Sequence, residues 1–357
     1  MPQVTIRKYP MVSVLMSVYN GECYLREAVE SILQQTFIDF EFVIINDGST
    51  DSTQDILAEY ATRDQRIVLV QNKENIGLTK SLNKWLRIVR GKYIARQDAD
   101  DVSLPERLMT QVRYLERLDH VGLLGTAYYM VDCQERPIAT HRLPRADTEI
   151  RWQMLFHSAF CHPSVMFRQE LLDKSKPFYN EDLLYSQDYD LWTRLQRRTC
   201  VANLDVPMLE LRVHDCSIST THYEEQQRIA SKIAAQQINT LIPQRLLTES
   251  EVDTLRRWYN RFPQRLSKQD MVLCRTLLRI LDAFGKQPNV DPEIVRDIRR
   301  RRIGRILAAI SKEHLLDLWE SGLLWDVLRN YPSSVLAHTS KRAIRRIRRV
   351  LQLTEQA

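Results

Sequence analysis

Apolar runs rich in β-formers recur at Val12–Val18, Phe40–Ile45, Ile67–Val70 and Tyr93–Ala95. Between them, Leu25–Gln34, Thr53–Ala61 and Leu78–Val89 place apolar residues three and four apart over helical lengths. The order βαβαβαβ predicts an α/β fold, a mostly parallel sheet with helices on both faces, and buried parallel strands account for the near-continuous apolar runs. In such sheets ligands sit beyond the carboxyl ends of the strands, so function is sought in the residues that follow each strand.

A helix is expected from Pro105 to about Leu118, then short mixed strands to about Arg168 with one helix near Thr148–Phe156. A helix over Tyr189–Arg198 precedes a short strand at Met208–Val213. From about Tyr223 the pattern is helical, with breaks at Pro243, Pro263, Pro288 and Pro332. The expected division is an α/β domain over 1–221 and a helical C-terminal region over 222–357.

Composition narrows the class. A chain that is 44% hydrophobic and 27% charged is globular rather than disordered or fibrous. Cys23, Cys133, Cys161, Cys200, Cys216 and Cys274 form no C-x-x-C pair, which argues against a zinc cluster or a disulfide framework and suits a reducing compartment. The first apolar run, Met11–Val18, is too short for a signal-peptide core, and Val121–Val131 falls short of the ~20 residues a membrane span needs. A cytoplasmic protein is expected. The net charge of +6 resides in residues 291–357, where 14 Lys/Arg face 8 Asp/Glu. There, Lys341–Leu351 carries six positive charges, and Ile344, Ile347 and Leu351 share one helical face. It reads as a peripheral membrane contact or as a basic helix packed on the domain. No recognition motif supports nucleic acid as a partner.

The carboxylates carry the chemistry. Asp98, Asp100 and Asp101 crowd the end of the fourth strand, where a hard divalent cation such as Mn²⁺ or Mg²⁺ would offset their repulsion and bind substrate phosphates as well. Asp47-Gly48-Ser49 follows the second strand, and Asp188 and Asp190 open a later helix. Each of these two also has a structural reading, as a turn or as a favourable charge at a helix N-terminus. The Tyr19–Tyr24 loop holds one glycine where a dinucleotide fingerprint needs three, and no Walker sequence occurs.

Together, Val12–Gly21, Ile45–Asp51, Asn75–Leu78 with Asn83, Ala95–Asp101 followed by Pro105-Glu106-Arg107, His162–Arg168, Asp188–Trp192 and Arg212–His214 resemble family 2 glycosyltransferases, over about 60% of the chain. The resemblance implies the GT-A fold and inversion at the anomeric carbon. It places Tyr19 and Asp47 at the nucleotide base, Asp98 near the ribose or metal, and Asp100 on a metal bridging the donor's phosphates. Asp188 becomes the general base, and His214 a further metal contact or a packing residue.

Two departures qualify it. The family often has Glu-Asp where this chain has Gln187-Asp188, which leaves Asp188 as the better base with Asp190 behind it. The Gln-x-x-Arg-Trp motif of processive members is missing at Thr254–Trp258, so a single addition is expected. Similar bacterial enzymes imply a nucleotide-sugar donor, a UDP-hexose first, and a lipid-diphosphate-linked saccharide acceptor in surface polysaccharide assembly. The alternatives are a sugar nucleotidyltransferase, against which the missing glycine-rich loop argues, and an inactive binding scaffold.

Overall fold

The computed structural model describes residues 9–309 apart from 174, 215 and 216. Four strands, β1 (Val12–Val18), β2 (Phe40–Asn46), β3 (Ile67–Gln71) and β4 (Tyr93–Asp98), alternate with the helices α1 (Leu25–Leu33), α2 (Thr53–Arg63) and α3 (Leu78–Trp85). All four are parallel, in the order β3-β2-β1-β4.

β1 shows why the apolar runs are continuous. Val12, Val14, Met16 and Val18 face one side, in a core with Leu25, Val29 and Ile32 of α1 and Leu57 of α2. Leu15 faces the other, in a second core with Val43, Ile45 and Leu82. Each successive side chain crosses to the opposite face, and both faces are covered.

The rest of the sheet departs from a simple parallel array. After β4 come the two-residue β5 (Val102–Ser103), α4 (Arg107–Arg117), the hairpin of β6 (Val121–Val131) and β7 (Pro137–His141), α5 (Asp147–Gln153), β8 (Met166–Arg168), α6 (Gln187–Leu195) and β9 (Cys200–Arg212). β8 slots between β4 and β6, antiparallel to both. The strand expected at Met208–Val213 begins earlier, at Cys200, and runs parallel to β6 along its length, with register shifts. Its last residues also pair with β5, Val102 opposite Glu210 and Ser103 opposite Leu209. That pairing holds the end of β9 against the loop that follows β4.

A short helix, α7 (Ile218–Thr221), and α8 (Tyr223–Leu241) follow. The described residues fall into two compact units, one ending at Ile233 and one starting at Ala234. The second contains α9 (Glu249–Asn260), α10 (Lys268–Phe284) and α11 (Pro292–Ala309). Thr248 and Ser267 open α9 and α10 with reciprocal capping boxes through Glu251 and Asp270. Val252, Leu255, Cys274, Leu277 and Leu281 are buried. α8 and α9 end two and three residues before Pro243 and Pro263, and α10 ends at Phe284 with Gly285 as its C-cap, ahead of Pro288; Pro332 lies outside the described residues. Among the described residues no helix is long and apolar enough to cross a membrane.

Candidate active site

Every expected site residue of the first 101 lies at or just beyond the carboxyl end of a strand. Register puts Ser17 of β1 beside Asp98 of β4, and Val18 beside Asn46 of β2, so the three strand ends are neighbours. Tyr19 is 47% exposed directly after β1. Behind it the first two loops are tied together. Asn20 backbone N donates to Ser49 Oγ at 3.0 Å and Asn20 Oδ1 accepts from Thr50 N at 2.8 Å, while Gly21 N donates to Thr53 Oγ1 at 2.9 Å. Asn20 takes the left-handed conformation that asparagine tolerates, with φ 51°.

Asp47 is 2% exposed, and its carboxylate organises the β3–α3 loop. Oδ1 accepts from Asn72 Nδ2 at 2.8 Å and from Ile76 N at 3.1 Å; Oδ2 accepts from Gly77 N at 3.0 Å. Gly48 follows with φ 71°, and a Cβ there would lie 2.5 Å from the Glu74 carbonyl carbon. Only glycine fits so close to the backbone of that loop.

The acidic loop is built around two buried arginines. Arg96 is fully buried and donates from Nη2 to Asp98 Oδ1 at 2.7 Å, from Nε to His162 Nε2 at 3.0 Å, and from Nη1 to the Leu15 carbonyl. Because His162 Nε2 accepts, this network assigns the ring proton to Nδ1. Burial, with the Arg96 charge, pushes His162 below the usual histidine range and keeps it neutral. Tyr179 Oη lies 3.3 Å from the same nitrogen. Arg107, also fully buried, binds Gln97 Oε1, Ser103 Oγ and the Arg96 carbonyl, at 3.0, 2.7 and 2.6 Å. It ties the backbone of β4, at the Arg96 carbonyl, to the Ser103 side chain of β5 on the other side of the loop.

Asp100 and His214 meet, with Oδ2 and Nε2 3.0 Å apart. Burial first, then the charge of Asp98, raises the Asp100 carboxyl above the usual range. Asp101 turns inward and accepts from Arg212 N at 2.9 Å; its carboxyl is raised well above the ordinary value by burial and by its two acidic neighbours. Arg212 completes the clamp. Its Nε donates to the Asp100 carbonyl at 3.1 Å, Nη2 binds Glu27, and the guanidinium lies 4.6 Å from the centre of the Tyr24 ring, which itself contacts His214.

Among the described residues no three His, Cys, Asp or Glu side chains converge as a metal cage. Instead the acidic loop and the residues after β9 together offer a pair, Asp100 and His214. A half-exposed carboxylate whose ionisation is opposed by burial and a like charge suits a cation that takes one or two protein ligands and completes its shell with phosphate and water.

Asp188 lies in the first turn of α6, behind Ser186, whose left-handed φ of 54° turns the chain into the helix. Ser186 Oγ donates to the Gln226 carbonyl at 3.2 Å. The Asp188 carboxylate accepts no hydrogen bond from the described residues, whereas Asp190 is paired with Arg194 Nε at 2.9 Å. The charges of Asp98 and Asp188 both act on Cys161, His162 and Tyr179, which places the two carboxylates around the same buried groups.

Arg96, Arg107, His162, Tyr179 and Arg212 were assigned no role from sequence. A signal existed for two of them. Arg96 directly follows the apolar run Tyr93–Ala95 and leads into the acidic loop, and Arg107 falls on the buried stripe of α4 with Leu108, Gln111, Val112 and Leu115.

Residues 13–175 match the family described as Glycosyl transferase family 2. An uncharacterized glycosyltransferase of Haemophilus influenzae is 33% identical over 244 residues, 64% of this chain and 73% of that protein. The O-antigen biosynthesis glycosyltransferase WbnJ of Escherichia coli is 31% identical over 218 residues, 60% of this chain and 84% of WbnJ. Among solved structures, TarS 1-349 of S. aureus in complex with UDP-GlcNAc superposes with a TM-score of 0.54 at 19% identity, covering 83% of this chain and 86% of that one. The fold is therefore GT-A-like, that of a sugar-transferring enzyme. The chain belongs to glycosyltransferase family 2.

Proposed function

We propose that this enzyme moves one hexose from a nucleotide-sugar donor, a UDP-hexose first, to a lipid-diphosphate-linked saccharide, with inversion at the anomeric carbon. The reading rests chiefly on the Asp100–His214 pair at the strand ends, with an Asp188 carboxylate that the described residues leave unbonded. WbnJ's role in O-antigen biosynthesis supports surface polysaccharide as the product class. The place of action would be cytoplasmic, at the inner face of the membrane, with Lys341–Leu351, outside the described residues, as a peripheral contact. Residues 1–221 would form the catalytic domain.

In this reading Tyr19 lies against the nucleotide base, beside the loop that Asp47 holds. Asp98, oriented by Arg96, accepts from the ribose or supports the metal site. Asp100 and His214 would hold Mn²⁺ or Mg²⁺, which supplies charge to stabilise the departing nucleoside diphosphate. Asp188 takes the proton from the acceptor hydroxyl as that oxygen attacks the anomeric carbon from the face opposite the leaving group. The bond to the diphosphate oxygen breaks as the glycosidic bond forms. Arg212 positions Asp100 through its carbonyl and His214 through Tyr24.

The test is a panel of UDP-, GDP- and dTDP-sugars with a lipid-diphosphate-linked GlcNAc acceptor, in Mn²⁺ or EDTA. Asp188→Asn is expected to lower transfer about 10²- to 10⁴-fold while donor affinity holds, and Asp100→Ala to abolish metal-dependent donor binding. Full transfer by Asp188→Asn would remove Asp188 as the base. Donor binding indifferent to EDTA and to Asp100→Ala would remove the metal.

A further inference from the structure

A concavity of about 240 Å³ opens between α3 and a wall formed by residues 172–173 and 176–181, which precede α6. It is smaller than the roughly 300–1,000 Å³ of sites that enclose a whole drug-sized ligand, so it suits a single group rather than a nucleotide sugar.

Its lining has two characters. Lys80, Lys84 and Arg87 come from α3 and the turn after it, and Lys176 from the facing segment, against two carboxylates, Asp173 and Glu181. Both carboxylates already accept hydrogen bonds. Asp173 is held by Ser175 N and Oγ at 3.1 and 2.6 Å, and Glu181 Oε1 by Asn83 Nδ2 at 2.9 Å. Lys84 is likewise engaged, with Asn72 Oδ1 at 2.7 Å. Lys80 and Arg87 make no hydrogen bond or ion pair with any described residue. The unbalanced charge is positive, and it sits beside a narrow apolar strip formed by half-buried Leu172 and the edges of Leu86 and Phe178, which are 4% and 8% exposed.

We propose that this concavity binds a phosphate-bearing amphiphile, its anionic group between Lys80, Arg87 and Lys176 and the start of its apolar chain against Leu172 and Phe178. The unpartnered Lys80 ammonium and Arg87 guanidinium would form charge-assisted bonds to phosphate oxygens, with Lys176, whose charge also acts on Asp173, completing the positive rim, and apolar surface next to them favours an attached hydrocarbon over free phosphate. Two sources present this chemistry, a membrane phospholipid headgroup and the diphosphate of a lipid-linked saccharide. The second source deepens the acceptor reading proposed above. The concavity shares no residue with the donor site, but it shares a wall with its support. Asn83 bonds both the N–H and the carbonyl of Tyr179, at 2.8 Å each, and Tyr179 Oη reaches His162.

The experiment uses the full chain without donor, so its failure leaves the transferase reading standing. Calorimetric titrations would compare farnesyl diphosphate, inorganic pyrophosphate and farnesol. Sedimentation would compare vesicles of phosphatidylglycerol with vesicles of phosphatidylcholine. Each is repeated with Lys80→Glu/Arg87→Glu and, should that variant fold poorly, with Lys80→Gln/Arg87→Gln.

Farnesyl diphosphate is expected to bind more tightly than pyrophosphate, and farnesol not at all. Charge reversal should weaken binding at least about tenfold, after salt screening of two charge-assisted bonds. If only vesicle binding responds to the substitutions, the source is the membrane headgroup; if only farnesyl diphosphate responds, it is the lipid diphosphate. The proposal is overturned if neither probe binds, or if both bind the substituted chains as they bind the wild type.

Discussion

Asp47 separates two roles that a strand-end carboxylate can play, reading a base or holding a loop. Replacing it with alanine removes three accepted hydrogen bonds, but the donors are not equally stranded. Gly77 N keeps a second acceptor, Asn75 Oδ1 at 2.9 Å. Asn72 Nδ2 keeps Ser81 Oγ at 2.8 Å for one of its two hydrogens. Ile76 N and the other Asn72 hydrogen lose their acceptor. Two buried or part-buried donors left unsatisfied, at about 1–3 kcal/mol each, give a loss of about 3 kcal/mol once partial relaxation is allowed.

Asp47→Asn should cost less, about 1 kcal/mol, because its oxygen can still serve Asn72 and Ile76 while its amide faces Gly77 N–H. At about 2–4 °C per kcal/mol for a unit of this size, the thermal midpoint falls about 6–12 °C for alanine and a few degrees for asparagine. Circular dichroism melts, run beside titration with UDP, would measure both properties. An Asp47→Ala protein that melts like the wild type would refute this argument and leave the carboxylate to the base alone.

Other expectations follow from single residues. Gly48→Ala should destabilise by at least about 2 kcal/mol, through its left-handed φ and a backbone contact that cannot move, and Gly77→Ala, in open space but at φ 87° and ψ 154°, a region essentially confined to glycine, should cost about 1–3 kcal/mol from the backbone alone; urea midpoints would compare them. Arg107→Ala should cost about 3–5 kcal/mol, since it strands the polar groups gathered around a fully buried guanidinium, and a wild-type urea midpoint would contradict that. Exposed Cys23 and Cys133 should be alkylated within minutes at pH 8. Cys161, pushed well up by burial, and Cys274, pushed up to about 12, should react only on unfolding, and peptide mass mapping would show the order.

The first four strands and three helices were legible because each completes its own pattern within a dozen residues, and the acidic loop because its three carboxylates stand together in sequence. What could not be read depends on partners far apart in the chain. β8 has three residues, too few to show a period, and its place between β4 and β6 is set by tertiary pairing. The Arg96–His162 bond spans 66 positions and the Asp100–His214 contact 114. The family resemblance nominates Asp47 for the base, but does not reveal that Asn72, Ile76 and Gly77 occupy its oxygens, because that loop's return to β2 depends on the turn at Gly77.

The late arrival of β8 also has a consequence for synthesis. Tyr93 pairs with Arg168, 75 residues downstream. At about 5–20 residues per second, a ribosome would leave one side of β4 without its neighbour for about 4–15 s. Unpaired strands of this kind are where nascent chains associate wrongly. During that interval Arg96 lacks His162 and Arg107 lacks the carbonyl of Val165. Chaperone dependence in the cell should therefore track substitutions in Met166–Arg168 more closely than equally buried changes in β1 or β2.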